Sequence, residues 1–89
     1  MPSVEFAHSL RRHVECAPQQ VPEGSLRDVL EAALAAAPGL SRYVFDDQRQ
    51  VRKHVAVFVN AELEHDRIHL NRRVTRDDRV LIIQALTGG

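Results

Sequence analysis

The sequence is short of cysteine, lysine and glycine, and it carries no excess of either charge. Cys16 is the only cysteine among 89 residues. That excludes an internal disulfide and fits a reducing cytosol. Twelve basic and twelve acidic residues cancel, whereas a nucleic-acid or anionic-membrane footprint calls for a basic excess. Neither partner is therefore expected. No apolar run approaches the length of a bilayer span, and Met1-Pro2-Ser3-Val4-Glu5 does not open a signal peptide, so a cytoplasmic location is expected. The length suits one domain. A chain of this size buries roughly 60–65% of its extended surface, enough for one core but not for a large enclosed active site.

What glycine there is lies in an unusual place. Half of the four glycines are Gly88-Gly89, directly after the apolar run Val80-Leu81-Ile82-Ile83-Gln84-Ala85-Leu86-Thr87. A terminal glycine pair is expected to contribute little to a fold, having no side chain to pack. It offers a thin backbone with a free carboxylate, able to thread a narrow channel on another protein. The alternative is a frayed end.

The remaining pattern is that of an α+β domain. Val4, Phe6 and His8 alternate with Glu5 and Ala7 as a first strand. His13 to Ala17 is a candidate return strand, with Leu10, Arg11 and Arg12 at the turn and Pro18 and Pro22 framing the loop that limits it. Ser25 is placed as an N-cap with Asp28 three residues on. Leu26, Val29, Leu30, Ala33, Leu34 and Ala37 then follow one helix face, which Pro38-Gly39 stops. Tyr43-Val44-Phe45 and Val51 read as short extended segments around the polar reversal Asp46 to Gln50. Val55 to Val59 is the next strand, ending at Asn60. Glu62 to Asn71 is polar and irregular, and Thr75-Arg76-Asp77-Asp78 is a second polar turn. Arg79 to Leu86, apolar on both faces, is expected to be a central strand. If it lies beside the first strand, one helix can cover one face of a mixed sheet: the β-grasp arrangement, with the chain end projected into solvent.

Several segments, in this order, resemble the bacterial ubiquitin-like sulfur carriers of the MoaD/ThiS family. They are Gly24-Ser25-Leu26-Arg27-Asp28-Val29-Leu30-Glu31-Ala32, Val57-Phe58-Val59-Asn60-Ala61-Glu62, Thr75-Arg76-Asp77-Asp78-Arg79-Val80-Leu81-Ile82-Ile83 and the Gly88-Gly89 end. The long hairpin before Val55 is most similar to the subgroup serving thiocarboxylate-dependent cysteine synthesis. One position departs from the family. Ala61 stands where glycine is common, and alanine accepts positive φ poorly, so the turn is expected to differ in type or to be looser.

The resemblance implies a ubiquitin-like domain over residues 1–87 and a functional tail at 88–89. It implies that Gly89 is adenylated by a ubiquitin-activating-like adenylyltransferase using ATP and magnesium. Sulfur from a persulfide (rhodanese-type) donor then yields a thiocarboxylate, which is delivered to a sulfur-acceptor enzyme in cysteine, molybdenum-cofactor or thiamine biosynthesis. Gly88 and Thr87 would thread the partner's channel. The domain would be no enzyme itself, holding no cofactor, metal or catalytic residue of its own. Two alternatives share the tail: a small subunit of molybdopterin synthase, and a ubiquitin-like protein modifier. The partner-binding candidates are Phe58, Leu81, Ile83 and Leu86 on the sheet beside the tail. For each taken singly, core is the expected assignment, and Leu86 and Thr87 are the better interface candidates because they adjoin the tail. Arg72, Arg73, Arg76 and Arg79 suit acidic partner surfaces or plain solvation.

Other signals are weaker. His65 and His69 have helical metal-ligand spacing but match no zinc motif. His8, His13 and His54 are scattered. Cys16 has no activating neighbours and is expected to be structural. Lys53, the lone lysine, is a conceivable acceptor for self-conjugation.

Overall fold

A computed structural model describes residues 1–7 and 18–84. The expected return strand at His13–Ala17, together with His8, Cys16, Leu86, Thr87, Gly88 and Gly89, lies outside the described residues. The sheet has five strands in the order β2-β1-β7-β4-β5. They are β1 Ser3–Phe6, β2 Gln19–Gln20, β4 Val55–Val59, β5 Glu62–Leu63 and β7 Arg79–Gln84. A separate pair joins β3 Gly24–Ser25 to β6 Arg73–Val74. β7 is central, as its two apolar faces imply. It runs parallel to β1, with Ser3 opposite Arg79 and Phe6 opposite Ile82. It runs antiparallel to β4, with Val55 opposite Gln84 and Val59 opposite Val80. This is the β-grasp arrangement.

Helix α1, Leu26–Ala35, begins where the sequence places it. The Ser25 hydroxyl accepts a hydrogen bond from the Asp28 amide at 3.1 Å, satisfying one of the orphan donors of the first turn. Leu26, Val29, Leu30, Ala33 and Leu34 form its buried stripe. They pack on Val4, Phe6, Val55, Val57, Val59, Val80 and Ile82, which alternate along the sheet and complete the core. Full burial of one such Leu or Val stabilises by about 1.5–3 kcal/mol. These contacts are what hold a helix too short to persist alone.

Two expectations need correction between the helix and β4. Helix α1 ends at Ala35, ahead of Pro38-Gly39, and Pro38–Leu40 forms a 3₁₀ turn. Ser41–Val44 continues as a short helix, α2, where an extended segment is expected. Only Phe45 is extended, and it closes the reversal through a single bridge to Val51. Burial decides this: Leu40, Val44 and Phe45 are all in the core, and a helical turn brings the three inward together despite the strand preference of Tyr-Val-Phe.

The turn at Ala61 is neither looser nor of another type. Val59 pairs with Glu62, leaving Asn60 and Ala61 as a two-residue hairpin loop, with φ of 51° and 71°. Positive φ at both positions is what a type I′ turn requires. Alanine sits there against its preference, and the left-handed conformation costs an L-residue about 1–2 kcal/mol. Ala61→Gly is therefore predicted to stabilise the domain by about 0.5–1 kcal/mol, net of glycine's greater unfolded-state entropy. That corresponds to a melting temperature higher by about 2–8 °C. A thermal melt showing no rise would refute this account of the turn.

Candidate functional site

Because strand side chains alternate, the sheet has an outer face turned away from α1. Phe58 and Leu81 are register partners, as are Ala56 and Ile83; on the other flank Glu5 pairs with Leu81. Phe58, Leu81 and Ile83 are half-buried, and none belongs to the core. The expected core assignment for these three is thus corrected. Their inward neighbours Val57, Val59, Val80 and Ile82 fill the core instead. Together with Ser3, Glu5, Asn60, Ala61 and Arg79, the three line an open hollow of about 730 Å³. The hollow has an apolar floor with a carboxylate and a guanidinium on its rim.

One end of the hollow is fixed by a polar clasp. The Asn60 side-chain amide donates to Asp78 Oδ1 at 2.7 Å, and its carbonyl oxygen accepts from the Arg79 amide at 2.9 Å. Asp78 Oδ2 in turn accepts from the Thr75 amide at 2.8 Å and from the Thr75 hydroxyl at 3.2 Å. The β4–β5 turn is thereby tied to the turn that launches β7. These bonds, the Thr75 amide first and the Asn60 amide next, hold the Asp78 carboxyl below its ordinary pKa, because they favour its charged form.

A second carboxylate organises the loop after β5. Asp66 accepts from the amides of Ile68, His69 and Leu70 at 2.9–3.2 Å, and these bonds, His69 first, lower its pKa. They hold Leu70 at φ 54° with its side chain fully buried. The Leu70 carbonyl then accepts from the Arg27 amide at 3.1 Å, at the start of α1. His65 and His69 accordingly lie in an irregular, Asp66-centred turn, without the helical spacing on which a metal pair depends. Among the described residues no group of three His, Cys, Asp or Glu is placed to hold a metal ion.

The four candidate arginines are dispersed. Arg72 pairs with Glu62 at 2.6 Å, Arg73 and Arg76 are exposed at the far end of the molecule's second sheet and its turn, and Arg79 borders the hollow. Lys53 is exposed in the turn before β4. No helix of the described residues is long and apolar enough to cross a membrane.

Comparison with known proteins defines the class first: the fold is the ubiquitin-like β-grasp. No family model matches the chain, and no curated protein matches it. Among solved structures, SAMP1 from Haloferax volcanii superimposes with a TM-score of 0.81 at 21% identity, covering 99% of this chain and 98% of that one. A chain of the Amycolatopsis orientalis BexX/CysO complex gives 0.80 at 17% identity, with both chains covered in full (100%). Mycobacterium tuberculosis CysO gives 0.79 at 21% identity, covering 97% of this chain and 100% of that one.

Two predictions test the site. Ile82→Ala, on the core side of β7, should cost about 2–5 kcal/mol, whereas Leu81→Ala, on the outer side, should cost about 1 kcal/mol. Urea midpoints giving equal losses would contradict the assignment of faces. Asp78→Ala should lower the midpoint at neutral pH. Since folding depresses the Asp78 pKa, its contribution is whole above the unfolded value of about 3.9 and is lost as pH falls through the lower folded value. The gap between variant and wild type should therefore close in strong acid; a gap constant with pH would show that the charge of Asp78 is irrelevant.

Proposed function

We propose that the chain is a sulfur carrier charged at Gly89. The observation that carries this reading is the path of the chain. A central strand paired on both edges is followed, after three further residues in the sequence, by Gly88-Gly89, and it borders an apolar hollow suited to a docking partner. The likeness to SAMP1 and CysO supports the reading at the level of fold.

An ionised carboxylate is a poor electrophile, so it must first be activated. One Gly89 carboxylate oxygen attacks the α-phosphorus of ATP on a ubiquitin-activating-like adenylyltransferase with magnesium, and pyrophosphate leaves. The terminal sulfur of a persulfide (rhodanese-type) donor attacks the acyl-adenylate carbonyl and AMP departs, giving an acyl disulfide. A second donor thiol cleaves its S–S bond, forming a donor disulfide and leaving the thiocarboxylate on Gly89. That sulfur, a good nucleophile, passes to an acceptor enzyme of cysteine, molybdenum-cofactor or thiamine biosynthesis in the cytosol. In this scheme Thr87 and Gly88 thread the channel, Leu86 joins Phe58, Leu81 and Ile83 in docking, and catalysis belongs to the partners. A modifier role shares the first step and is favoured by neighbours described as small archaeal modifier proteins. It differs in its product, an isopeptide to a lysine of another protein.

Incubation with ATP, magnesium, an activating enzyme and a persulfide donor should replace one oxygen by sulfur, seen by intact mass. Gly88→Val should abolish the exchange while the melt stays within a few degrees of wild type, since a Cβ there widens only the tail. Sulfur loading of Gly88→Val at the wild-type rate would defeat the proposal. Isopeptide products without any thiocarboxylate would move the function to protein modification.

A further inference from the structure

Beside the exit of β7 lies a second surface, distinct from the apolar hollow. Gln84 pairs with Val55. The residues just before Val55 are Arg52-Lys53-His54, all exposed, in a turn closed by the Val55 amide donating to the Arg52 carbonyl at 3.0 Å. Helix α2 brings Arg42 and Tyr43 alongside. Arg42, Tyr43, Arg52, His54, Val55 and Gln84 line a groove of about 330 Å³, and no acidic residue is among them.

Among the described residues, the cations of this groove are held in place without an ion pair. Arg52 Nε donates to the Arg42 carbonyl at 2.6 Å. The Arg42 guanidinium lies over the Tyr43 ring at 5.2 Å and donates to its hydroxyl at 3.3 Å. Arg67 steadies the turn by donating to the Arg52 carbonyl at 2.6 Å. Among the described residues, Arg27, Arg49 and Arg72 form the ion pairs; Arg42, Arg52 and Lys53 form none. In a chain with no net charge, the described lining of this groove carries Arg42 and Arg52 and no carboxylate, while Asp46 and Asp47 border the adjoining hollow. Pre-set guanidinium groups favour carboxylates through paired, charge-assisted hydrogen bonds.

We propose that this groove docks an acidic segment, rich in Asp and Glu, of the protein that receives the tail. The inference rests on the sulfur-carrier reading for the identity of that partner. Its role is orientation: two contact surfaces, one apolar and one ionic, flank the strand from which the tail departs and fix its direction. A peptide fits better than nucleic acid, whose footprint requires a longer continuous basic track.

The test is a titration of the isotope-labelled full chain with a short polyglutamate peptide, followed by NMR. Shifts should concentrate at residues 42, 43, 52–55 and 84. The double variant Arg42→Glu/Arg52→Glu should weaken binding about tenfold or more, while Arg73→Glu/Arg76→Glu should leave it unchanged. Should Arg52→Glu disturb the turn, Arg42→Glu/His54→Glu keeps the comparison with the same expected loss. Equal shifts at Arg73 and Arg76, retained affinity in the groove variants, or ATP shifting the groove as strongly as the peptide would each overturn the proposal. The assay needs no activation of Gly89, so its failure and a failure of sulfur loading are read separately.

Discussion

The fold depends on β7 being hydrogen-bonded along both edges, parallel to β1 and antiparallel to β4. Each edge makes its own demand. The parallel partner lies at the other end of the sequence, so a crossover must bridge the two, and α1 is the element that fills it against the core face. The antiparallel partner brings the two-residue hairpin at Asn60-Ala61 next to the start of β7. Val80 and Ile82 then point into the core while Leu81 and Ile83 point out, and one register sets both the stability of the domain and the composition of its outer face.

Polar contacts fix what the strand pairing leaves adjustable. The Asn60–Asp78 clasp aligns β7 at its beginning. On the opposite side of the sheet, Arg27 collects the segments around α1. Its guanidinium donates to the carbonyls of Arg49 at 3.0 Å and Ile68 at 2.5 Å. With Arg49 it packs against Phe45, at 5.7 and 4.7 Å from the ring centre. Exposed ion pairs such as Arg27–Glu31 add little by themselves. The carbonyl bonds matter more, because they join the 38–54 excursion to the Asp66 loop without a strand between them.

Most of this frame was legible from residue order. The 3.6-residue spacing and the Ser25 cap gave α1, and the β-branched runs gave β4 and β7. The missed elements are those whose conformation is imposed from outside. Gln19–Gln20 is a two-residue polar strand between prolines, paired to Ser3 and Val4. Ser41–Val44 is helical because the core needs Val44 and Phe45 together. The outer position of Phe58, Leu81 and Ile83 was hidden by the double-sided apolarity of β7: alternation places residues on two faces but does not say which face the helix will take. The basic groove was hidden too, since Arg42 and Arg52 meet only through α2 and the turn before β4. The tail residues were legible as chemistry alone.

The parallel pairing of β1 with β7 also governs how the chain can be made. Ser3–Phe6 have their central neighbour only once residues 79–82 exist, and contacts this distant in sequence form late because loop closure precedes any gain. A ribosomal product that stops before Arg79 leaves β1 and β4 with bare edges, open to aggregation and proteolysis. Termination before Arg79 thus removes the strand on which both β1 and β4 pair. The topology acts as a proofreading device, admitting to the folded population only chains synthesised at least through the strand that carries the tail.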